Sequence, residues 1–293
     1  MPNYIEPLFR PPSEANSLIF QITIGCSQNR CTFCGMYKGK PFRLKPLDEV
    51  LAEIDSMPAA YRSQVNRVFL ADGDALVYPF DRLIRILDHL SLTFPQLTRV
   101  GSYASPASLT GKTIDELAAL RQKKLRIVYF GLESGDDATL AAINKGFSAD
   151  EMAEQALKAR TAGMKISVTA ILGLAGRDRS LCHAQATAAW VNGVNPEYFS
   201  LLTLFHRHND DFIRTLRQCT RGELLLEARE LLSCLNPEKT ILRSNHVSNF
   251  LNLAGTYPKD RLRLVAEVDT AIVYARSIPR YADAPPEYAE EYY

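Results

Sequence analysis

The stretch that decides the fold is Gly25-Cys26-Ser27-Gln28-Asn29-Arg30-Cys31-Thr32-Phe33-Cys34, which delivers three cysteines within nine residues. It follows a β-like apolar run at 18–24, so the thiols sit on a loop that leaves a strand. Three closely spaced thiolates make a poor tetrahedral zinc site, because structural zinc takes a fourth protein ligand. They suit a [4Fe–4S] cluster in which three irons are held by protein and the fourth stays open. An open iron can bind a small chelating molecule and pass it an electron. Zinc-binding or incidental cysteines are the alternative that this spacing leaves standing.

Outward from the loop, composition sets bounds. A chain of 293 residues holds one large α/β domain or two small ones, and barrel folds commonly run to this length. Hydrophobic residues at 46% and charged residues at 23% are ordinary for a globular protein. The formal net charge of +1 gives no electrostatic reason to expect nucleic acid or an anionic membrane as partner. No run of about 18 apolar residues occurs, so no membrane span is expected. The start, Met1-Pro2-Asn3-Tyr4-Ile5-Glu6, lacks the basic and apolar regions of a signal peptide. Six cysteines, three of them in one loop, point to a reducing compartment rather than a disulfide framework, and a cytoplasmic location is expected.

Short apolar runs at 18–24, 68–71, 99–103, 127–131, 166–172 and 198–204 read as strands, being rich in β-branched, aromatic or leucine residues. Longer helix-like segments lie between them at 47–57, 81–93, 113–123, 149–162 and 184–194. Thr113 or Asp115 caps one start, Ser148 with Glu151 forms a capping box at another, and Gly163 ends that helix. Such alternation predicts parallel strands with helical crossovers. The six units fall short of an eight-unit barrel. After residue 204 the pattern changes to a leucine-rich helix at 223–235, an apolar run at 240–251 and a Pro-started helix at 258–276. The expected division is an N-terminal arm at 1–16, a main domain at 17–210, a C-terminal extension packing on it at 211–280, and a solvated tail at 281–293.

The C-x4-C-x2-C spacing, with Phe33 just before the last cysteine, resembles the cluster loop of the radical S-adenosylmethionine (radical SAM) superfamily, whose commonest spacing is one residue shorter. The resemblance covers about residues 17–275. It implies an α/β fold, a partial (β/α)6 TIM-like barrel with a helical C-terminal extension, open on one side to admit substrate. It also implies that Cys26, Cys31 and Cys34 hold a [4Fe–4S] cluster, that the methionine end of S-adenosylmethionine (SAM) chelates the fourth iron, and that Phe33 lies close to the adenine.

Functional residues of parallel α/β folds gather where strands end. Asp72-Gly73-Asp74 follows the second strand, in the place of the superfamily's Gly-Gly-Glu-like motif that binds the SAM amino group. Only one glycine remains and Asp74 stands where Glu is usual, while an ordinary turn is the alternative. Gly131-Leu132-Glu133-Ser134-Gly135, followed by Asn144-Lys145-Gly146, resembles the Gly-x-Glu-Ser-Gly segment of the group that includes the oxygen-independent coproporphyrinogen oxidases. Carried over, Glu133 and Ser134 face the SAM ribose and Lys145 pairs its carboxylate, as a point charge where Arg would grip bidentately. The fifth strand resembles the one that cradles adenine, with Thr169 and Gly173 as contacts. Ser102 and Tyr103 end the third strand and face SAM or substrate, or serve the core.

Catalytic candidates follow the last strands. Phe205-His206-Arg207-His208-Asn209-Asp210-Asp211 is a polar segment suited to a metal, a proton shuttle or an anionic substrate, with a solvated loop as the alternative. Arg243-Ser244-Asn245-His246-Val247-Ser248-Asn249 is dense in donors and resembles a segment of uncharacterised radical SAM proteins. Both are expected to line the open side of the barrel, giving His206, His208, Arg243 and His246 as candidates and favouring a small polar substrate. Cys182, Cys219 and Cys234 are scattered and read as buried thiols, Cys219 or Cys234 also as a hydrogen-atom source or a ligand for a soft substrate atom. The resemblance implies reductive cleavage of SAM to a 5′-deoxyadenosyl radical, with electrons from a flavodoxin- or ferredoxin-like donor. Transfer of a 3-amino-3-carboxypropyl group is an alternative outcome. A non-catalytic iron–sulfur or zinc protein is the rival from another class.

Overall fold

The computed structural model describes residues 3–206 and 208–286. Met1 and Pro2 of the expected arm, Arg207 of the polar segment and residues 287–293 of the expected tail lie outside the described residues. In chain order the elements are β1 (Leu18–Gln21), β2 (Thr23–Ile24), β3 (Arg43–Leu44), α1 (Leu47–Asp55), α2 (Ala59–Arg62), β4 (Arg67–Ala71), α3 (Phe80–Thr93), β5 (Arg99–Ala104), α4 (Pro106–Thr110), α5 (Ile114–Gln122) and β6 (Leu125–Glu133). There follow α6 (Asp137–Ala142), α7 (Ala149–Thr161), β7 (Lys165–Leu172), α8 (Gly176–Val194), β8 (Tyr198–Thr203), α9 (Asp210–Thr215), α10 (Arg221–Cys234), β9 (Ile241–Arg243), β10 (Ala254–Thr256), α11 (Arg261–Arg276) and α12 (Pro279–Ala282). One eight-stranded sheet has the order β1-β4-β5-β6-β7-β8-β9-β10, and β2 pairs with β3 apart from it.

The chain clusters into two compact units that interleave in sequence. One comprises residues up to Asn29, Met36–Phe130 and Glu154–Ile166; the other comprises Arg30–Gly35, Gly131–Ala153 and the chain from Ser167 on.

In the first unit β1, β4, β5 and β6 form parallel ladders, with Leu18 opposite Val68, Val68 opposite Val100 and Gly101 opposite Ile127. Four of the five residues of β4 are buried, as a parallel strand covered on both faces requires. The short turn Pro12–Glu14 is bound to these strands. Glu14 is fully buried, accepts from the Tyr129 hydroxyl at 2.5 Å and pairs with Arg99 Nη2 at 2.7 Å. A buried carboxylate survives only when it is paired and hydrogen-bonded in this way.

In the second unit β7, β8 and β9 run parallel and β10 returns antiparallel to β9, Ala254 opposite Arg243. Helix α10 packs against both α8 and α11. The capping box expected at Ser148 forms, with Ser148 N–H donating to Glu151 Oε2 at 2.7 Å and Glu151 N–H to Ser148 Oγ at 3.2 Å. Two features depart from the sequence reading. Helix α8 begins at Gly176 rather than near residue 184, and the run at 240–251 supplies a three-residue strand and a loop. Strands as short as β9 and β10 carry no periodicity of their own; they exist because β8 offers β9 an edge.

Candidate active site

The boundary between the compact units falls inside the cysteine loop, between Asn29 and Arg30. The surroundings of Cys26 and of Cys31 and Cys34 therefore separate. All three cysteines are thiols, partly exposed.

In the first unit the chain reaches Cys26 through Gly25, whose φ is +73° and whose added Cβ would lie 2.4 Å from the Lys40 carbonyl oxygen. Only glycine meets both demands. Gly25 N–H donates to Asp72 Oδ2 at 2.9 Å, and Gln21 Nε2 donates to the same oxygen at 3.1 Å. Lys40 Nζ pairs with that oxygen at 2.5 Å and also donates to the carbonyls of Ile5 and Pro7 at 2.6 and 2.8 Å. Burial raises the Asp72 pKa against the pull of Lys40 and Gly25 N–H. Asp74 is equally buried. It accepts from the Ser27 hydroxyl, from Ser105 N–H at 2.9 Å and from Ser105 Oγ at 2.7 Å.

Both carboxylates are thus engaged in anchoring the Cys26 end of the loop and the start of α4. Between them, Gly73 brings bare backbone against Cys26: an added Cβ would lie 2.7 Å from the Tyr37 ring and 2.8 Å from Cys26 Cβ. Burial, followed by the Asp72 charge, raises the pKa of the Tyr37 phenol. Ser102 is buried and its hydroxyl donates to the Tyr103 carbonyl at 3.0 Å. Tyr103 packs edge-on against Phe69 with ring centroids 5.0 Å apart.

In the second unit the turn after α6 holds the Cys31 stretch. Thr32 N–H donates to the Ile143 carbonyl at 3.0 Å, and Asn144 Nδ2 to the Arg30 carbonyl at 3.1 Å. Burial raises the Cys31 thiol pKa, the Lys145 ammonium lowers it and the Glu133 carboxylate raises it, so both charges act on this cysteine. Glu133 Oε1 and Lys145 Nζ are 3.0 Å apart, with only 13% and 10% of their side chains exposed. Glu133 ends β6 at φ +66°, and its carboxylate folds back over Gly131, where an added Cβ would lie 2.1 Å from Oε1. The Ser134 hydroxyl bonds His183 Nδ1 at 2.7 Å. Gly173 N–H donates to Glu227 Oε1 at 2.9 Å, and Thr169 is partly exposed on β7.

Phe33 is fixed through its backbone: Asn209 Nδ2 donates to the Phe33 carbonyl at 2.7 Å and to the Phe205 carbonyl at 3.0 Å. The ring of Phe205 stacks on His246, centroids 6.2 Å apart. Ser248 N–H donates to His246 Nδ1 at 3.1 Å, and burial lowers the pKa of this half-buried imidazole. The segment around His246 therefore communicates with the cysteine loop through Phe205 and Asn209. Its other polar groups largely serve the fold: Ser248 Oγ accepts from Thr203 N–H at 3.1 Å, and Asn249 Nδ2 donates to the Leu201 carbonyl at 2.7 Å. Arg243, His206 and His208 are exposed. Of the scattered thiols only Cys219 is buried, while Cys182 and Cys234 are exposed, against expectation. Both lie on helix surfaces where the core does not reach. Burial, then Glu227 and Glu223, push the Cys219 thiol up to about 12.

His183 and Glu227 are the residues that sequence reasoning passed over, and Asn209 was read only as one member of the polar segment at 205–211. Glu227 carried a signal, an acid within Leu224-Leu225-Leu226-Glu227-Ala228 of a leucine-rich helix. Among the described residues no group of three or more His, Cys, Asp or Glu side chains is gathered as a metal site, and no helix is long and apolar enough to cross a membrane.

Residues 20–181 match the Radical SAM superfamily model. A Methanocaldococcus jannaschii protein provisionally named a methylthiotransferase is 25% identical over 153 residues, which is 49% of this chain and 32% of that protein. The chain thus spans about a third of the length of this curated relative. Coproporphyrinogen III oxidase from Escherichia coli, a radical SAM enzyme, superposes with a TM-score of 0.56 at 16% identity, over 74% of this chain and 50% of that one. Methylornithine synthase superposes with a TM-score of 0.52 at 11% identity, over 92% of this chain and 83% of that one. These likenesses establish an α/β fold of the partial-barrel kind with a helical extension.

Proposed function

Because this chain belongs to the radical SAM superfamily, we propose that it reductively cleaves SAM at a [4Fe–4S] cluster held by Cys26, Cys31 and Cys34. The donor set fits that group: three thiols, none in a disulfide, on one loop that follows a strand. The observation that carries the reading is the Glu133–Lys145 pair, a near-buried carboxylate and ammonium whose charges both act on Cys31. SAM presents complementary groups, ribose hydroxyls that donate and a carboxylate that accepts. Lys145 pairs with the SAM carboxylate and Glu133 accepts from the ribose, each through donor or acceptor sites that their mutual ion pair leaves over.

Gly73 lets backbone carbonyls approach the SAM ammonium, with Asp74 and the buried Oδ1 of Asp72, unpartnered among the described residues, on either side of it. Phe33, Thr169 and Gly173 complete the SAM-binding set, with Ser102 and Ser134, whose hydroxyls turn into the core, contributing the backbone of their strand ends. When bound, the cluster supplies an electron to the SAM sulfonium, giving methionine and a 5′-deoxyadenosyl radical that acts on a small polar substrate. Electrons come from a flavodoxin- or ferredoxin-like protein.

The test is anaerobic reconstitution with iron and sulfide, addition of SAM and dithionite, and identification of the SAM fragments. Equal amounts of methionine and 5′-deoxyadenosine are expected. Methylthioadenosine in their place would instead mark 3-amino-3-carboxypropyl transfer. Intact SAM beside a fully loaded cluster would overturn the enzymatic reading and leave a non-catalytic iron–sulfur protein.

A further inference from the structure

We propose that His183 of α8 and Glu227 of α10 are positioning residues that together set the two SAM-binding turns, the one at Ser134 after β6 and the one at Gly173 after β7. The inference rests on the reading that these turns hold SAM. It makes the C-terminal helix α10 a working part of the cofactor site.

The geometry is a chain of contacts within the second unit. Glu227 is fully buried and accepts from Gly173 N–H at 2.9 Å and from Ser180 Oγ at 2.5 Å. Gly173 has φ +79° and its added Cβ would lie 2.9 Å from Leu224 Cδ2, so the turn is pressed onto α10 one helical turn before Glu227. His183, also fully buried, lies with Nε2 3.5 Å from Glu227 Oε1 and with Nδ1 2.7 Å from Ser134 Oγ. Ser134 Oγ in turn accepts from Asp136 N–H at 3.0 Å. Nε2 makes no hydrogen bond at that separation, so His183 and Glu227 lie side by side without a shared proton, and His183 holds the turn through its bond to Ser134. Gly135 closes the same turn: its N–H donates to Thr187 Oγ1 at 3.0 Å, and its added Cβ would meet the Ala186 carbonyl at 2.5 Å.

Ser134, His183 and Glu227 copy the order of a nucleophilic relay, but all three are fully buried, so no substrate reaches the serine. What the relay does reach is backbone. Through Gly173 N–H and the Ser134–Asp136 turn it sets the two turns that follow β7 and β6. Burying a carboxylate and an imidazole for this purpose is costly, as the elevated Glu227 pKa near 7 and the depressed His183 pKa near 4 both record.

The test is calorimetric titration of the anaerobically reconstituted protein with SAM, with iron content measured on the same samples. Glu227→Ala and His183→Leu should weaken SAM binding at least tenfold at unchanged iron content. Glu227→Gln, whose amide oxygen still accepts from Gly173 N–H, should stay within about threefold of wild type, a rescue that general destabilisation would not produce. Should Glu227→Ala fail to fold, Ser180→Ala reads the same contact and is expected to weaken binding several-fold. Wild-type affinity in Ser180→Ala and His183→Leu, or Glu227→Gln as weak as Glu227→Ala, overturns the inference alone. A wild-type protein that binds no SAM overturns the proposed function, and this inference with it.

Discussion

Single residues around the cysteine loop divide into those that hold the loop and those left to hold a ligand. Cys26, Cys31 and Cys34 are the proposed cluster ligands, so replacing all three by alanine should remove the brown colour and the reduced-state paramagnetic signal. Retention of full iron would reject the assignment. Lys145→Ala removes one charge-assisted contact, worth about 1.5–3 kcal/mol, and should cost roughly ten- to a hundredfold in SAM affinity. Unchanged calorimetric titrations for both Lys145→Ala and Glu133→Ala would rule out their role. Gly131→Ala offers a subtler check. Its new Cβ would meet only the tips of the Glu133 and Lys145 side chains, which can swing away. Thermal stability should barely change while SAM affinity falls, because the Glu133–Lys145 pair is displaced.

At the level of elements, the turn from β6 into α6 is seated on α8 by Gly135. An added Cβ there would lie 2.5 Å from the Ala186 carbonyl oxygen and 2.7 Å from Thr187 Cα, backbone that cannot yield as a side-chain tip can. Gly135→Ala should therefore destabilise the protein by about 1–3 kcal/mol, the usual cost of overpacking, seen as a lower urea midpoint at unchanged slope. A midpoint equal to wild type would show that α8 can retreat. The elements themselves were mostly readable: the strand runs and the helices at α1, α3, α5 and α7 lie within a few residues of their expected places. The start of α8 was not, because Gly173-Leu174-Ala175-Gly176 reads as loop, and Arg177 N–H is held by the distant Arg217 carbonyl at 2.7 Å.

Over the whole molecule, the buried pair imposes a pH signature. Burial lifts Glu227 from 4.5 to about 7, so the folded state keeps this proton where the unfolded state has lost it. Its contribution to stability is full below pH 4.5 and is lost as pH rises to about 7. Burial drops His183 from 6.5 to about 4, so its contribution is full above pH 6.5 and is lost as pH falls to about 4. Between pH 4.5 and 6.5 the two slopes oppose each other. Glu227→Gln removes the first and leaves the second. Relative to wild type, its urea midpoint should therefore climb with pH across that window. Parallel midpoint curves for the two proteins would refute the assignment of these protonation states.

The local pattern by itself determined the alternating strands and helices, the capping box at Ser148 and the cysteine loop placed after the first strand, because apolar periodicity, cap chemistry and thiol spacing are written over neighbouring residues. Tertiary structure alone decided how the polar groups are used. The sequence places Asp72 and Asp74 after the second strand, but only the fold brings Gly25 N–H to Asp72 across 47 residues and Ser105 to Asp74 across 31. Asn209 reaches Phe33 across 176 residues, and Glu227 reaches Gly173 across 54. A hydrogen bond depends on where its partner arrives after the sheet is assembled, and no local pattern encodes that arrival.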